Sequence, residues 1–374
     1  MPFSKHNHVA IVCISHALGG LELTAIQLAR EFKMRGADCT LVVPTDTPLS
    51  RESIQSGVQT EFLNPKLRYG DPLASIRLAK ILMAHSTDIV VVMQSKDISV
   101  VTGAQLLYRT VRVVFYQQMQ SNVDKRDAVH SWMYSRLSLW ISLTERMKQE
   151  VLKHTRVPES IIRVVPLGRD THLFDPTLFT QHEARQRYGL PLVPQIVGVL
   201  GRLDRQKGQE EFLRSMPLVL KHCPEVFYVI AGEETRGEEG FRKHLVEACY
   251  ELGIESRVRF LPFTDNVPEF MAAIDVFVMP SYCETFGLVL IEAMSMEKPI
   301  IATSCGGVPE IVDDGLDGLL IPPRDERALA MAVVRMLKDA SLRDLLSKRA
   351  RQEALKRFDT RHCVDQLVLS LDSL

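Results

Sequence analysis

Short β-branched runs alternate with amphipathic stretches along the whole chain. In the first half the apolar runs are HVAIVCI (8–14), CTLVV (39–43), DIVVVM (88–93), RVVFYQ (112–117), WISLT (140–144) and IIRVVP (161–166). In the second half they are QIVGVLG (195–201), VFYVIAG (226–232), VRFLP (258–262), VFVMP (276–280), PIIAT (299–303) and GLLIP (318–322). Most are continuously apolar, as expected of parallel strands covered by helices on both faces. Between them lie stretches such as LELTAIQLAREFKMRG (21–36), apolar at i, i+3 and i+4 and closed by Gly36. Strand–helix alternation repeated twice predicts two open α/β domains of the Rossmann type. Residues 166–194 lack strand periodicity and carry four prolines, so they read as the linker. Residues 341–374 read as helical throughout, with Phe358, Val364, Leu367 and Leu371 spaced to pack on a domain surface.

Length agrees with two domains, because 374 residues exceed the roughly 250–300 at which one core stops growing. An apolar fraction of 46% excludes a disordered or low-complexity chain. The longest apolar runs, about five to seven residues, fall far short of a bilayer span. The N-terminus (MPFSKHNHVAIVCIS) is too polar ahead of its strand-like run to read as a signal peptide. Cys13, Cys39, Cys223, Cys249, Cys283, Cys305 and Cys363 are scattered and never form CxxC, which suits reduced thiols in a cytoplasmic enzyme. The net charge of −1 hides an asymmetry: residues 1–187 hold 23 Lys+Arg against 17 Asp+Glu, and 188–374 hold 22 against 29. Such a balance suits phosphate or an anionic surface on one side and is too weak for nucleic-acid binding.

Open parallel sheets bind ligands at the carboxyl ends of their strands, so the loops that follow strands carry the candidate chemistry. The first, Ser15-His16-Ala17-Leu18-Gly19-Gly20, offers close backbone approach and a helix start that attracts anions; simple turn glycines are the alternative. It lacks the GxGxxG pattern of dinucleotide binding. The second, Gly201 to Gly208, places Arg202 and Lys207 around a short loop that opens a helix. The guanidinium is a fork for phosphate oxygens and the ammonium a point charge, with a solvated loop as the alternative. The third runs from Ser281 to Met294. Glu284 falls in its loop, Gly287 begins a helix with free N–H groups, and Glu292 lies one to two turns further on. No Asp-x-Asp, HExxH or GxSxG occurs, so metal and serine-nucleophile chemistry are not indicated.

The runs GRLDRQKG, VFYVIAGEE, VRFLPF and PSYCETFGLVLIEAMSMEKPIIATSCGGVPEIVDDGLDGLLIPP resemble the retaining glycosyltransferases of the GT-B, family-4 (group 1) type, over essentially the whole chain. The resemblance implies an α/β protein with two Rossmann-like domains facing across a cleft. Residues 1–168 would form the acceptor domain and 169–357 the nucleotide-sugar domain, with 358–374 a helix packing back on the first. It implies a hexosyltransferase that retains anomeric configuration and needs neither metal nor cofactor beyond its nucleotide diphosphate sugar. UDP is the leading nucleotide, with GDP or ADP as alternatives. The implied acceptor is a glycan or (phospho)glycolipid in cell-envelope polysaccharide or lipopolysaccharide synthesis. A cytoplasmic enzyme with peripheral contact at the inner membrane face is implied, and no nucleic acid.

By motif position Arg202 and Lys207 would bind the diphosphate, and Glu284 would contact the transferred sugar. The backbone of Phe286, Gly287 and Leu288 would meet sugar and phosphate, and Glu292 would hold the ribose. Gly20 would let the first loop approach the phosphates, and Leu261 would sit by the base. One departure stands out. Many members carry a histidine where this chain reads Phe115-Tyr116-Gln117-Gln118-Met119-Gln120. Gln118 can donate a hydrogen bond there but cannot act as acid or base. His130 and His16 are substitute candidates, with surface histidines as the alternative. Other readings are an epimerase or phosphorylase of the same fold, and a non-catalytic sugar-nucleotide-binding subunit. The stretch 102–156, with nine Lys+Arg against four Asp+Glu, would suit a phosphorylated glycolipid or an anionic membrane.

Overall fold

The computed structural model describes residues 2–374 except 4, 5, 7, 68, 121, 122, 193, 194 and 236. The chain divides into two compact units, residues 1–166 with 363–374, and residues 167–362.

The first unit is built on β1 (His8–Val12), β2 (Asp38–Val43), β3 (Gln59–Phe62), β4 (Ile89–Val92), β5 (Arg112–Tyr116), β6 (Leu139–Ser142) and β7 (Ile162–Val164). They pair in parallel in the order β3-β2-β1-β4-β5-β6-β7. Every residue of β1 and β4 is buried, because helices cover both faces of the sheet centre. The helix Gly20–Met34 returns the chain from β1 to β2, and Gly36, at φ +86°, turns it out of that helix. Strand order reverses between β1 and β4, so the loops after those two strands border a topological switch point.

The second unit repeats the plan with β8 (Ile196–Leu200), β9 (Phe227–Ala231), β10 (Val258–Leu261), β11 (Val276–Met279), β12 (Ile300–Thr303) and β13 (Leu319–Ile321). The order is β10-β9-β8-β11-β12-β13, all parallel, and the reversal falls between β8 and β11. The loops that follow these two strands are Gly201 to Gly208 and Ser281 to Gly287, the two richest in candidate chemistry.

All twelve apolar runs form strands, and three readings need correction. The thirteenth strand, β3, is Gln-Thr-Glu-Phe at a sheet edge; with few apolar positions to bury it gives no hydrophobic signal. Residues 166–194 are not a free linker. From Leu167 onward the chain belongs to the second unit, and the helix Gln181–Arg187 is anchored there by Arg185, whose guanidinium donates to the Ala273 carbonyl (3.0 Å) and to Asp275 (2.6 Å). Val193 and Pro194 lie outside the described residues. The tail is not one helix: Ala340–Arg357 and Thr360–Asp372 are separated at Phe358 and Asp359. There the backbone leaves the helix to pair with Arg169, whose N–H donates to the Phe358 carbonyl and whose carbonyl accepts from Thr360, both at 2.9 Å. Phe358, Val364, Leu367 and Leu371 are buried.

Candidate active site

In the second unit two loops meet at the switch point. The loop after β8 is shaped by Asp204, whose carboxylate accepts the Gln206 N–H at 2.8 Å and starts a single 3-10 turn, Arg205–Lys207. Gly208 ends that turn at φ +68°, and a Cβ there would lie 2.0 Å from the Pro280 carbonyl oxygen. Glycine therefore lets the loop rest backbone-to-backbone on the end of β11. The Tyr282 N–H donates to the Gln206 carbonyl at 2.8 Å and ties the two loops together.

This contact brings Lys207 Nζ within 2.6 Å of Glu284 Oε2, both side chains being largely shielded. Glu284 is fixed from its other side: its carbonyl accepts the Gly307 N–H at 3.0 Å and fills the space where Gly306 would carry a side chain. Gly287, at φ +92°, opens the helix Leu288–Ser295. The N–H groups of Gly287, Leu288 and Val289 find no acceptor among the described residues and carry the positive end of the helix dipole. The Phe286 ring is buried edge-to-face on Phe358 at 6.2 Å, so only its backbone is offered to a ligand. Arg202 is mostly exposed, with Asp204 3.6 Å away. A cation, a carboxylate and free amides at one strand edge can receive an anion and the hydroxyls attached to it.

Glu292 is buried deeper on the same helix, and its Oε1 accepts from Arg169 Nε at 2.6 Å. Burial raises the Glu292 pKa, and the Arg169 guanidinium opposes that rise. Its second oxygen makes no hydrogen bond among the described residues. Arg169 was not anticipated from the sequence, where it sits in PLGRD inside the stretch read as linker. The signal available was Gly168: a Cβ there would meet the Thr360 backbone at 2.7 Å. Leu261 closes β10 and is buried, two strands from β8. A groove of about 970 Å³ along β13 and the helix Glu326–Lys338 contains none of these residues.

In the first unit the glycine loop is held from below. Glu22 accepts from Ser15 Oγ at 2.5 Å and from the Gly19 N–H at 2.9 Å, and Asp97 accepts from the Ile14 N–H at 3.0 Å. Burial pushes the Asp97 carboxyl up to about 7. Gly20 faces open space, and His16 is exposed beside it. Gln118 lines a cavity at the end of β5, whereas His130 does not. His130 instead pairs its Nδ1 with Asp127, the residue capping its own short helix, at 2.6 Å. Among the described residues no group of three or more His, Cys, Asp or Glu side chains is placed to hold a metal ion. No helix among them is long and apolar enough to cross a membrane.

Two family models match this chain: "Glycosyl transferases group 1" over residues 180–353 and "Glycosyltransferase Family 4" over residues 18–173. An uncharacterized glycosyltransferase of Methanocaldococcus jannaschii is 30% identical over 63% of this chain and 60% of its own length. A D-inositol 3-phosphate glycosyltransferase of Corynebacterium jeikeium is 34% identical over 58% and 53%. A lipopolysaccharide core biosynthesis mannosyltransferase of Rhizobium meliloti is 34% identical over 47% and 50%. The chain thus spans about half to three-fifths of the length of these curated relatives. Among solved structures, Anabaena HepE in complex with UDP and glucose superposes with a TM-score of 0.84 at 24% identity, covering 99% of this chain and 100% of that one. The sucrose-phosphate synthase of Thermosynechococcus elongatus gives 0.76 at 21% identity, covering 98% and 100%. At these identities the likeness shows a shared fold.

Proposed function

This chain belongs to the group 1, family 4 glycosyltransferases of the GT-B fold, and from that membership we propose that it moves a sugar from a nucleotide diphosphate donor to a glycan or (phospho)glycolipid acceptor, retaining configuration and using no metal. The observation that carries this reading is the Lys207–Glu284 pair, 2.6 Å apart beside a helix start with unpaired amides. Breaking a glycosyl–phosphate bond builds negative charge on the departing phosphate and positive charge on the sugar carbon. Fixed cations and amide dipoles at the first, with a carboxylate near the second, lower the barrier without reorganising. Lys207 rests on Glu284 until a diphosphate arrives, and Arg202 is free to swing onto it. Glu284 then accepts hydroxyl protons of the transferred sugar.

The proposed step forms a bond from the acceptor oxygen to the anomeric carbon on the face from which the phosphate leaves. The acceptor proton passes to the departing phosphate oxygen, so no side-chain base is required and Gln118 serves as a hydrogen-bond donor. The backbone of Phe286, Gly287 and Leu288 meets sugar and phosphate, Glu292 takes the ribose hydroxyls, and Leu261 borders the base. Gly20 brings the first loop to the phosphates. Two of the relatives are named for D-inositol 3-phosphate and for lipopolysaccharide core biosynthesis, and these names support an acceptor that is anionic or belongs to the envelope. HepE, solved with UDP and glucose, supports UDP as the first nucleotide to test. We place the enzyme at the inner face of the membrane in peripheral contact.

Calorimetry with UDP, GDP and ADP in the presence of EDTA tests the donor side. Heat with one nucleotide, and turnover that survives the chelator, is the expected result; no heat with any of them, or turnover abolished by EDTA, would sink the reading. Proton NMR of the product, with the anomeric configuration of the donor, checks retention.

A further inference from the structure

The loops that carry Lys207 and Glu284 are tied by backbone where the Tyr282 N–H donates to the Gln206 carbonyl. The Tyr282 side chain makes a second tie. Its hydroxyl donates to Glu211 Oε1, on the helix Gln209–Leu220 that the Lys207 loop opens. Tyr282 stands two residues before Glu284, and Glu211 four residues after Lys207. One side chain therefore links the loop that carries the acid to the helix that anchors the cation.

Glu211 depends on this hydroxyl. Its second oxygen is shielded from solvent and makes no hydrogen bond among the described residues. Arg214 feels its charge but is gripped by Glu210, at 2.7 Å. A shielded carboxylate that loses its donor pays the full desolvation penalty, more than the net worth of an ordinary hydrogen bond. Burial, and after it the bond to Glu211, raises the Tyr282 pKa, so the hydroxyl keeps the proton it donates.

The ring of Tyr282 is held as well. The Arg324 guanidinium lies 4.5 Å from its centre, within cation–π range. Arg324 follows β13 with φ +62°, a left-handed backbone that glycine adopts freely and that strains a residue with a Cβ. Its strained backbone delivers the guanidinium to the ring beside Glu284.

We propose that Tyr282 is a positioning residue: held by Glu211 at its hydroxyl and by Arg324 at its ring, it sets the register of the Lys207 loop against the Glu284 loop, so that both side chains meet the donor's diphosphate and sugar already in place. Calling that ligand a donor rests on the transferase reading; the register itself does not.

Three variants of the full chain test it. Tyr282→Phe removes the hydroxyl, Tyr282→Phe with Glu211→Leu also removes the stranded carboxylate, and Arg324→Gly removes the ring contact and the backbone strain together. Tm should fall in the first, recover in the second and hold in the third, since losing both partners of a buried bond costs less than losing one. With UDP-glucose as donor and UDP release as the readout, kcat should stay about ten-fold below wild type in all three while KM moves less than about three-fold, because small misplacements of fixed groups cost the transition state most. Reductive methylation with formaldehyde and cyanoborohydride, read by peptide mass spectrometry, follows the register without any sugar transfer. The Lys207 amine, loosened from Glu284, should be modified several-fold faster in all three variants, with the other lysines unchanged. If Tyr282→Phe alone does not fold, the double variant and Arg324→Gly decide. Recovery of kcat along with Tm in the double variant, a raised KM at wild-type kcat, or Lys207 labelling at the wild-type rate overturns the proposal, since Tyr282 would then do no more than satisfy a buried carboxylate. A wild-type chain that releases no UDP counts against the transferase reading instead, and leaves the register to be judged by Lys207 labelling.

Discussion

Lys207 and Glu284 are each other's nearest charge, so removing either leaves an uncompensated ion in a half-shielded place while the fold keeps its core. Lys207→Ala and Glu284→Ala should therefore melt within a few degrees of wild type yet lose about 100- to 1,000-fold in kcat/KM, the usual effect of deleting one fixed charge stabiliser. Wild-type turnover in either variant would remove that residue from the reaction. Their residue types and loop positions were readable in advance, because both follow strands at a sheet reversal. Arg169 was not readable: it meets Glu292 across 123 positions of sequence, and only the folded chain brings guanidinium to carboxylate. Asp97 was hidden for a similar reason, since its desolvation arises from packing under the glycine loop. Its carboxyl titrates near 7 when folded and near 3.8 when unfolded, so between these values the folded state holds the extra proton and stability falls as pH rises. Asp97→Asn keeps an acceptor for the Ile14 N–H and carries no charge. Its melting advantage over wild type should grow from pH 5 to pH 8 by several degrees, and a constant difference in differential scanning calorimetry would contradict the assignment.

The nine interior strands announce themselves because a strand covered on both faces must be largely apolar, as in every residue of the run IVVV. The edge strands are held to less: β7 and β10 each carry an exposed arginine yet stay apolar enough to read, whereas β3, Gln-Thr-Glu-Phe, does not and stays silent. The break at Phe358 and Asp359 is silent too, because it is dictated by a distant backbone partner at Arg169 and no proline or glycine marks it. The active-site loops lie between these extremes. Their glycines are visible, but which are obligatory emerges only from what lies opposite. Gly306, at φ +53°, faces the Glu284 carbonyl oxygen at 1.7 Å from an added Cβ, whereas an added Cβ at Gly20 meets nothing within 4 Å. Gly306→Ala should cost about 2 kcal/mol or more in stability and displace Glu284, lowering both Tm and turnover. Gly20→Ala should leave Tm unchanged and weaken donor binding alone if the first loop meets the diphosphate. Unchanged nucleotide affinity in calorimetry would take Gly20 out of the donor site.

At the scale of the whole molecule, charge is the property that sequence conveys best, because Lys, Arg, Asp and Glu are mostly exposed wherever they fall. The stretch 102–156 carries nine basic residues against four acidic, and the structure puts Arg109, Arg112, Arg126, Arg136, Arg146, Lys153 and Arg156 at the surface. What the sequence did not convey is the apolar surface set among them. Val129 and Trp132, three residues apart on one short helix, are 65% and 46% exposed, and the Arg136 guanidinium lies 5.6 Å from the Trp132 ring centre. An aromatic ring flanked by cations suits the interface of an anionic bilayer, where each basic residue near the surface contributes about 1 kcal/mol. The wild-type chain should cosediment with vesicles containing phosphatidylserine or phosphatidylglycerol and be released by about 0.5 M salt, since added ions shorten the reach of the attraction. Neutral phosphatidylcholine vesicles should retain little. Val129→Ser with Trp132→Ser should weaken the anionic binding at low salt while leaving its salt sensitivity, because the substitutions remove apolar insertion and keep the charges. Equal binding to neutral and anionic vesicles would dismiss the electrostatic contribution, and no binding to either would dismiss the membrane contact itself.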